Sequence, residues 1–258
     1  EDEDPSLALR CSCRASICGS CAMTVNDNAR LVCKTKLTEV APNGETVLVE
    51  PMNNQRVIKD LVVDLDFFWG KIRAVDPYLQ PRDEEPEGEY IASNESMLNL
   101  LTPMGCIMCG ACVSACTVLE VDDTFLGPAA LAKAYRFVAD PRDGEAHQRL
   151  STLNDASGAW DCTRCYQCVQ VCPKGVAPME RIMELRDSIM EDGMTKEEWK
   201  MVTETRMSLQ KALRLGAVCS GQSPPYRSAL GLRLGVGEGL GIENRSADTH
   251  LKNQPKDN

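Results

Sequence analysis

The chain has 258 residues, 43% of them apolar, a formal charge of -10 and a pI near 4.9. That length admits one large or two modest domains with a packed core, and the acidic balance argues against a nucleic-acid surface, which needs clustered Lys and Arg. The most apolar stretch, LVVDLDFFWG (61–70), is interrupted by Asp64 and Asp66 and is shorter than the roughly 18 residues a bilayer span needs.

The first residues, EDEDPSLALR, carry neither an initiator Met nor a charged-then-apolar leader, so the chain reads as a piece of a longer product. Residues 5–50 alternate short apolar runs with turn residues: AMTV, Asn26-Asp27-Asn28, ARLVC, then Pro42-Asn43-Gly44 and ETVLVEP. This punctuation predicts short strands and tight turns. Residues 51–90 read as a connector that ends in the acidic, Pro-rich QPRDEEPEGEY (80–90), an exposed linker. From 91 to 194, apolar residues recur at three- and four-residue steps in ESMLNLLTPMGC, GPAALAKAYRFVAD and APMERIMELRDSIMEDG, which predicts a helical second domain. Residues 195–258 differ in character. Thr195 and Glu198 form a capping-box pattern, with Met194 and Trp199 placed as a hydrophobic staple, and predict a helix to Gly216. The Gly-rich GLRLGVGEGLGIEN (231–244) and the polar end are expected to be loose. Gly235, Gly237, Gly239 and Gly241 do not make a dinucleotide loop, because the spacing is wrong and no strand-then-helix frame surrounds them.

Fourteen cysteines stand against two histidines, His147 and His250, and twelve of the cysteines fall into three groups of regular short spacing. That pattern indicates metal chemistry in a reducing compartment rather than a disulfide scaffold. The first group, Cys13, Cys18, Cys21 and Cys33, matches the front of the plant-type [2Fe-2S] signature, in which a tight loop wraps the cluster and a distant Cys closes it. Gly19 and Ser20 are small, so backbone N–H groups can approach the cluster sulfides. Structural zinc also takes four thiolates, but the four-residue gap and the small-residue loop favour the binuclear cluster. Cys11 is expected to be a surface or half-buried thiol and Cys219 an inert one.

The other two groups repeat one another. Adding 56 to Cys106, Cys109, Cys112 and Cys116 gives Cys162, Cys165, Cys168 and Cys172, so CxxCxxCxxxC occurs twice, the second time followed by Pro173. Three thiolates at this spacing reach three corners of a cubane cluster, and the fourth corner must be met from elsewhere. In two-cluster ferredoxins the last Cys of each run ligates the other cluster. Applied here, Cys106, Cys109, Cys112 and Cys172 hold one [4Fe-4S] cluster, while Cys162, Cys165, Cys168 and Cys116 hold the other. Two self-contained sites are the alternative, which the three-residue gap would strain. With three iron clusters and no acid–base or nucleophile constellation, the chain has no catalytic residues of its own and reads as an electron conductor. A zinc-bearing interaction scaffold is the reading from another class.

CRASICGSCAMTVN, VIKDLVVDL, GPAALAKAYRF, DPRDGEAHQRL and CPKGVAP together resemble the iron-sulfur subunits of succinate dehydrogenase and fumarate reductase, over residues 5 to about 190. The resemblance implies an α+β architecture: the C-terminal part of a β-grasp [2Fe-2S] domain at 1–50, then an α-helical ferredoxin domain at 91–194. It places further strands and a helix of the β-grasp domain before Glu1, so unpaired sheet edges are expected. The implied partners are a flavoprotein carrying FAD and a membrane anchor at which quinone reacts. The implied location is peripheral, on the cytoplasmic face of a prokaryotic cell membrane. Electrons would enter at the first group, pass the Cys106/Cys109/Cys112/Cys172 cluster and leave from the third. Most members of the family carry an aliphatic residue where Cys165 stands, and a [3Fe-4S] third cluster. The extra thiolate favours a second [4Fe-4S] cluster over [3Fe-4S]. Val121 and Thr163 stand where the family's ubiquinone pocket has Trp and His, which leaves the acceptor site open. The iron-sulfur subunit of another oxidoreductase, of the thiol-linked fumarate reductase or glycolate-oxidase type, is the neighbouring alternative. Such subunits often add long Cys-rich domains, whereas this tail has only Cys219.

Overall fold

Asn26 and Asp27 turn the chain with φ of 46° and 62°, the left-handed pair that a two-residue hairpin requires and that Asn and Asp tolerate. They join β1 (Ala22–Val25) to β2 (Asn28–Leu31), with Val25 opposite Asn28 and Ala22 opposite Leu31. The Asn26 side chain also donates from Nδ2 to Val40 O at 3.0 Å and accepts from the Leu48 N–H at 2.9 Å. One residue thereby ties the hairpin to the short helix α1 (Leu37–Val40) and to β3 (Val47–Glu50). β3 pairs with the other side of β1, so β1 is central and all four of its residues are buried. Because strand side chains alternate between faces, Met23 and Val25 join Val47, Val49 and Leu61 in one small core, while Ala22 joins Cys21, Leu31, Met52 and Val63 in another.

The structure, a computed structural model, describes residues 5–81 and 86–193, together with the backbone of 232–234 and 242–243. β4 (Val57–Lys59) and β5 (Val62–Val63) form a second small sheet around Asp60 at φ 48°. The N-terminal segment runs beside it. Ala8 N–H donates to Asp60 Oδ2 at 2.8 Å, Leu61 N–H donates to Ala8 O at 3.2 Å, and Arg10 Nη1 donates to Val63 O at 2.8 Å. Helix α2 (Asp66–Arg73) follows at once and buries Phe68 and Ile72 in the helical core. Residues 51–81 are therefore not the bare connector expected from the sequence. They contribute Met52 and Val63 to the strand lobe and α2 to the helical lobe.

The outer edge of β3 is taken by β6 (Leu232–Leu234), antiparallel with Val47 opposite Leu234, and β7 (Ile242–Glu243) pairs with β6 in turn. The larger sheet runs β2-β1-β3-β6-β7. Leu232–Leu234 and Ile242–Glu243 are thus strands within a stretch read from the sequence as loose. A strand edge offers a row of unpaired N–H and C=O groups that an extended segment can satisfy, whatever glycines flank it. The helix expected over 195–216 lies outside the described residues.

The helical lobe is arranged around α5 (Gly127–Val138), whose first turn carries Pro128, a residue suited to a helix start because its missing N–H would be unpaired there anyway. Around it pack α2, α3 (Asn94–Met104), α4 (Ala111–Ser114), α6 (Ala146–Leu153) and α8 (Pro178–Glu191), with α7 (Gln167–Gln170) set between α4 and α8. Leu131, Phe125, Phe68, Leu185 and Trp160 are fully buried in this core, each contributing about 2 kcal/mol of apolar transfer. No helix among the described residues is long and apolar enough to cross a membrane.

Two buried arginines fasten the irregular segments. Arg149 pairs with Asp143 at 3.1 Å and donates to the carbonyls of Val75, Asp76 and Tyr78, which pins the end of α2 to α6. Arg186, on α8, donates to the carbonyls of Ala159, Trp160 and Cys162, each at 2.9 Å. Cationic donors make hydrogen bonds about twice as strong as neutral ones, so α8 holds the start of the third cysteine group by its backbone. Replacing Arg186 with Met leaves these carbonyls without that donor and is expected to cost about 3 kcal/mol. The measurement is the unfolding midpoint of the intact protein. Arg186→Lys should recover less than half of the loss, because an ammonium cannot fork across several acceptors, and an unchanged midpoint in Arg186→Met would refute the role.

Candidate iron-sulfur centres

The first group sits in a loop whose backbone is bent so that its N–H groups face inward. Arg14, Ser16 and Gly19 have φ of 53°, 56° and 75°. The consequence is a ring of donors on sulfur: Ala15, Ile17 and Cys18 N–H donate to Cys13 Sγ at 3.4, 3.4 and 3.3 Å, and Ser16 N–H donates to Cys33 Sγ at 3.3 Å. Cys18 is pulled down to about 6, first by a hydrogen bond from the Ser20 side chain and then by backbone donors. Cys21, on the inner side of the loop, is instead pushed up by burial and by the neighbouring Cys33. Cys11 is exposed, as are Cys13 and Cys18.

The repeat of 56 residues is a repeat of backbone conformation. Met108 and Gly110 have φ of 55° and 78°, and their counterparts Arg164 and Tyr166 have φ of 58° and 68°. Gly110 leads into α4, and Tyr166 leads into α7, which is α4 displaced by 56. The two short helices pack against each other, so the last Cys of each run is carried toward the other run. Cys172 lines one cavity with Cys106, Cys109 and Cys112, closed by apolar side chains that include Phe68, Ala129 and Val176. Val176 N–H donates to Cys172 Sγ at 3.4 Å. Cys116 has Cys162 and Cys165 as its electrostatic neighbours, and Cys168 has Cys162, Cys116 and Cys165. Cys112 and Cys168 also feel one another, which places the two sets side by side.

Burial pushes the Cys109 thiol up to about 11 and Cys116 to about 12, and raises Cys112, Cys162 and Cys168 as well. Four thiols crowded in an apolar setting become thiolates only when cations neutralise them, and metal binding then releases their protons. This donor chemistry, all sulfur with inward N–H groups and apolar walls, fits iron-sulfur clusters at each set. Among the described residues no three His, Cys, Asp or Glu side chains converge on one metal position.

Two residues that position the sites, Asn54 and Thr117, were not singled out from the sequence. Asn54 Nδ2 donates to the carbonyls of both Val113 and Cys116 at 2.8 Å, closing the end of α4 from the strand lobe. Thr117 Oγ1 donates to Cys165 Sγ at 3.5 Å. The Thr163 hydroxyl is buried and has no partner among the described residues, while Val121 is half exposed. Gly19 has a second duty besides opening its loop. A Cβ there would lie 2.8 Å from Cys109 Cβ and 2.9 Å from Cys109 Cα, and Ile107 and Cys109 pack on the cluster of residues around Cys21. The CGSC spacing could have signalled a close approach, but not to which partner.

Residues 1–70 match the 2Fe-2S iron-sulfur cluster binding domain family and residues 104–176 the 4Fe-4S dicluster domain family. The chain is 43% identical to the fumarate reductase iron-sulfur subunit of Mycobacterium tuberculosis over 185 residues, covering 71% of this chain and 74% of that protein. It is 33% identical to the succinate dehydrogenase iron-sulfur subunit of Coxiella burnetii over 192 residues, 74% of this chain and 80% of that one. Among solved structures, a chain of the Mycobacterium smegmatis Sdh1 complex in the apo form superposes with a TM-score of 0.68 at 26% identity, covering 74% of this chain and 81% of its own length.

The Gly19 contact yields a controlled comparison with Gly175, which has a similar left-handed φ of 66° but nothing within 4 Å of an added Cβ. Gly175→Ala is expected to cost about 1 kcal/mol of backbone strain alone. Gly19→Ala adds a backbone collision and is expected to cost at least twice as much and to lower iron and sulfide content. Equal losses in the two variants, by unfolding midpoint and iron analysis, would show that the approach of Gly19 to Cys109 constrains nothing.

Proposed function

Because this chain belongs to the iron-sulfur subunits of succinate dehydrogenase and fumarate reductase, we propose that its three cysteine groups hold three clusters in series between an FAD-bearing flavoprotein and a membrane quinone. Cys13, Cys18, Cys21 and Cys33 hold [2Fe-2S]. Cys106, Cys109, Cys112 and Cys172 hold [4Fe-4S], and Cys116, Cys162, Cys165 and Cys168 hold a second [4Fe-4S]. The observation that carries this reading is the shared cavity in which Cys172 joins the three sulfurs of the other run. Bound clusters supply one-electron carriers at short range from one another.

The protein's own contribution is placement and charge. Inward N–H groups steady the thiolates of the first group, α4 and α7 exchange their terminal cysteines, and Arg186 and Asn54 hold the ligand loops by their carbonyls. Cys165 supports a four-iron third cluster because its sulfur lies among those of Cys116, Cys162 and Cys168. The complex sits at the membrane through an anchor subunit, on the cytoplasmic face of the cell membrane.

The test is metal analysis with EPR on the intact complex. Iron and acid-labile sulfide are expected in equal amounts, with no [3Fe-4S] signal in the air-oxidised state. Cys165→Ala is expected to bring up that signal while the fold and the other two clusters are kept. A three-iron signal in the unsubstituted complex that iron and reductant fail to convert would remove Cys165 from the ligand set, and zinc without sulfide would end the redox reading.

A further inference from the structure

Thr117 and Thr163 each directly follow a cysteine of the third set, Cys116 and Cys162. Their counterparts by the 56-residue repeat, Pro173 after Cys172 and Ile107 after Cys106, carry no hydroxyl. At these two positions the third site carries hydroxyl groups and the middle site does not. One already acts on sulfur: Thr117 Oγ1 donates to Cys165 Sγ at 3.5 Å. The other, Thr163 Oγ1, is enclosed without a hydrogen-bond partner among the described residues. Leaving a buried hydroxyl unpaired costs about 1–3 kcal/mol, and the acceptor that a bound cluster adds beside Cys162 is inorganic sulfide.

We propose that Thr117 and Thr163 donate hydrogen bonds to the sulfur shell of the third cluster and raise its reduction potential. This rests on the assignment of Cys116, Cys162, Cys165 and Cys168 to one cluster. Reduction adds one electron and one negative charge to the cluster and its thiolates, and no proton is needed. A donor aimed at sulfur stabilises that added charge, so the reduced state gains more than the oxidised one and the potential rises. Pro173 and Ile107 bring no such donor to the middle cluster.

The experiment is an EPR-monitored redox titration of the intact complex with Thr117→Val and Thr163→Val, which keep side-chain shape and remove the hydroxyl, beside Thr117→Ser and Thr163→Ser, which keep it. Each valine variant is expected to lower the third cluster's midpoint by a tenfold shift in its reduced-to-oxidised ratio, about 59 mV for a one-electron couple. The midpoints of the other two clusters should stay in place, and each serine variant should stay near the unsubstituted value. A third-cluster midpoint unmoved in both valine variants overturns the proposal, as does a fall of all three midpoints together. The type of EPR signal in the unsubstituted complex, four-iron or three-iron, reports on Cys165 separately. In a three-iron cluster the shift from Thr163→Val would still be required.

Discussion

The backbone of Gly19 lies so near Cys109 that a methyl group has no room between them. Two loops of unrelated origin, one from a strand lobe and one from a helical lobe, are brought to van der Waals contact at their cysteines. Electron transfer falls steeply with distance, so a chain that conducts must settle this spacing first. Much of the rest of the structure serves it. Met52 and Val63 extend from the region beyond β3 into the small core around Cys21, on which Cys109 also packs. Asn54, two residues after Met52, grips the end of α4.

A common device recurs at the loops themselves. Each cysteine run is irregular backbone, rich in carbonyls that no helix or sheet satisfies, and buried carbonyls need donors. The donors are few, long and specific: Asn54 for Val113 and Cys116, Arg186 for Ala159, Trp160 and Cys162, and Arg149 for the turn after α2. Arg186 and Arg149 also lie over the rings of Trp160 and Phe137, so their stems are packed as well as bonded. Rigidity at the sites therefore comes from side chains on regular elements that hold loops by their main chain, which leaves the cysteine sulfurs free to face inward.

Spacing carried most of what could be read in advance. The three cysteine groups, the repeat of 56 and the split into a strand lobe and a helical lobe follow from local rules, because a Cys run and a 3.6-residue period are short-range signals. The Asn26-Asp27 turn was equally visible. Long-range partnerships were hidden. Nothing local to Asn54 or Arg186 says which carbonyls they will meet, and α2 was concealed by its position in a stretch that begins as strands and ends in an acidic run. The pairing of β6 with β3 joins residues far apart in sequence through backbone alone, where side-chain pattern carries little information. At Cys165 the sequence could supply a sulfur but not its direction; that depended on how Tyr166 turns into α7.

A duplicated unit has no preferred direction of its own, since exchanging its halves restores the same object. Here the symmetry is broken by what lies over each half. At the first loop the left-handed position is Gly110, with Met52 packed 3.5 Å from where a side chain would start, and Gly19 close by at Cys109. At the second loop the same position is Tyr166, partly exposed, its hydroxyl 3.2 Å from Glu180. One face of the duplicated pair is sealed by the strand lobe, and among the described residues the other has no such cover. That difference in cover gives the two halves a polarity, an inner end and an outer end, before any partner is added.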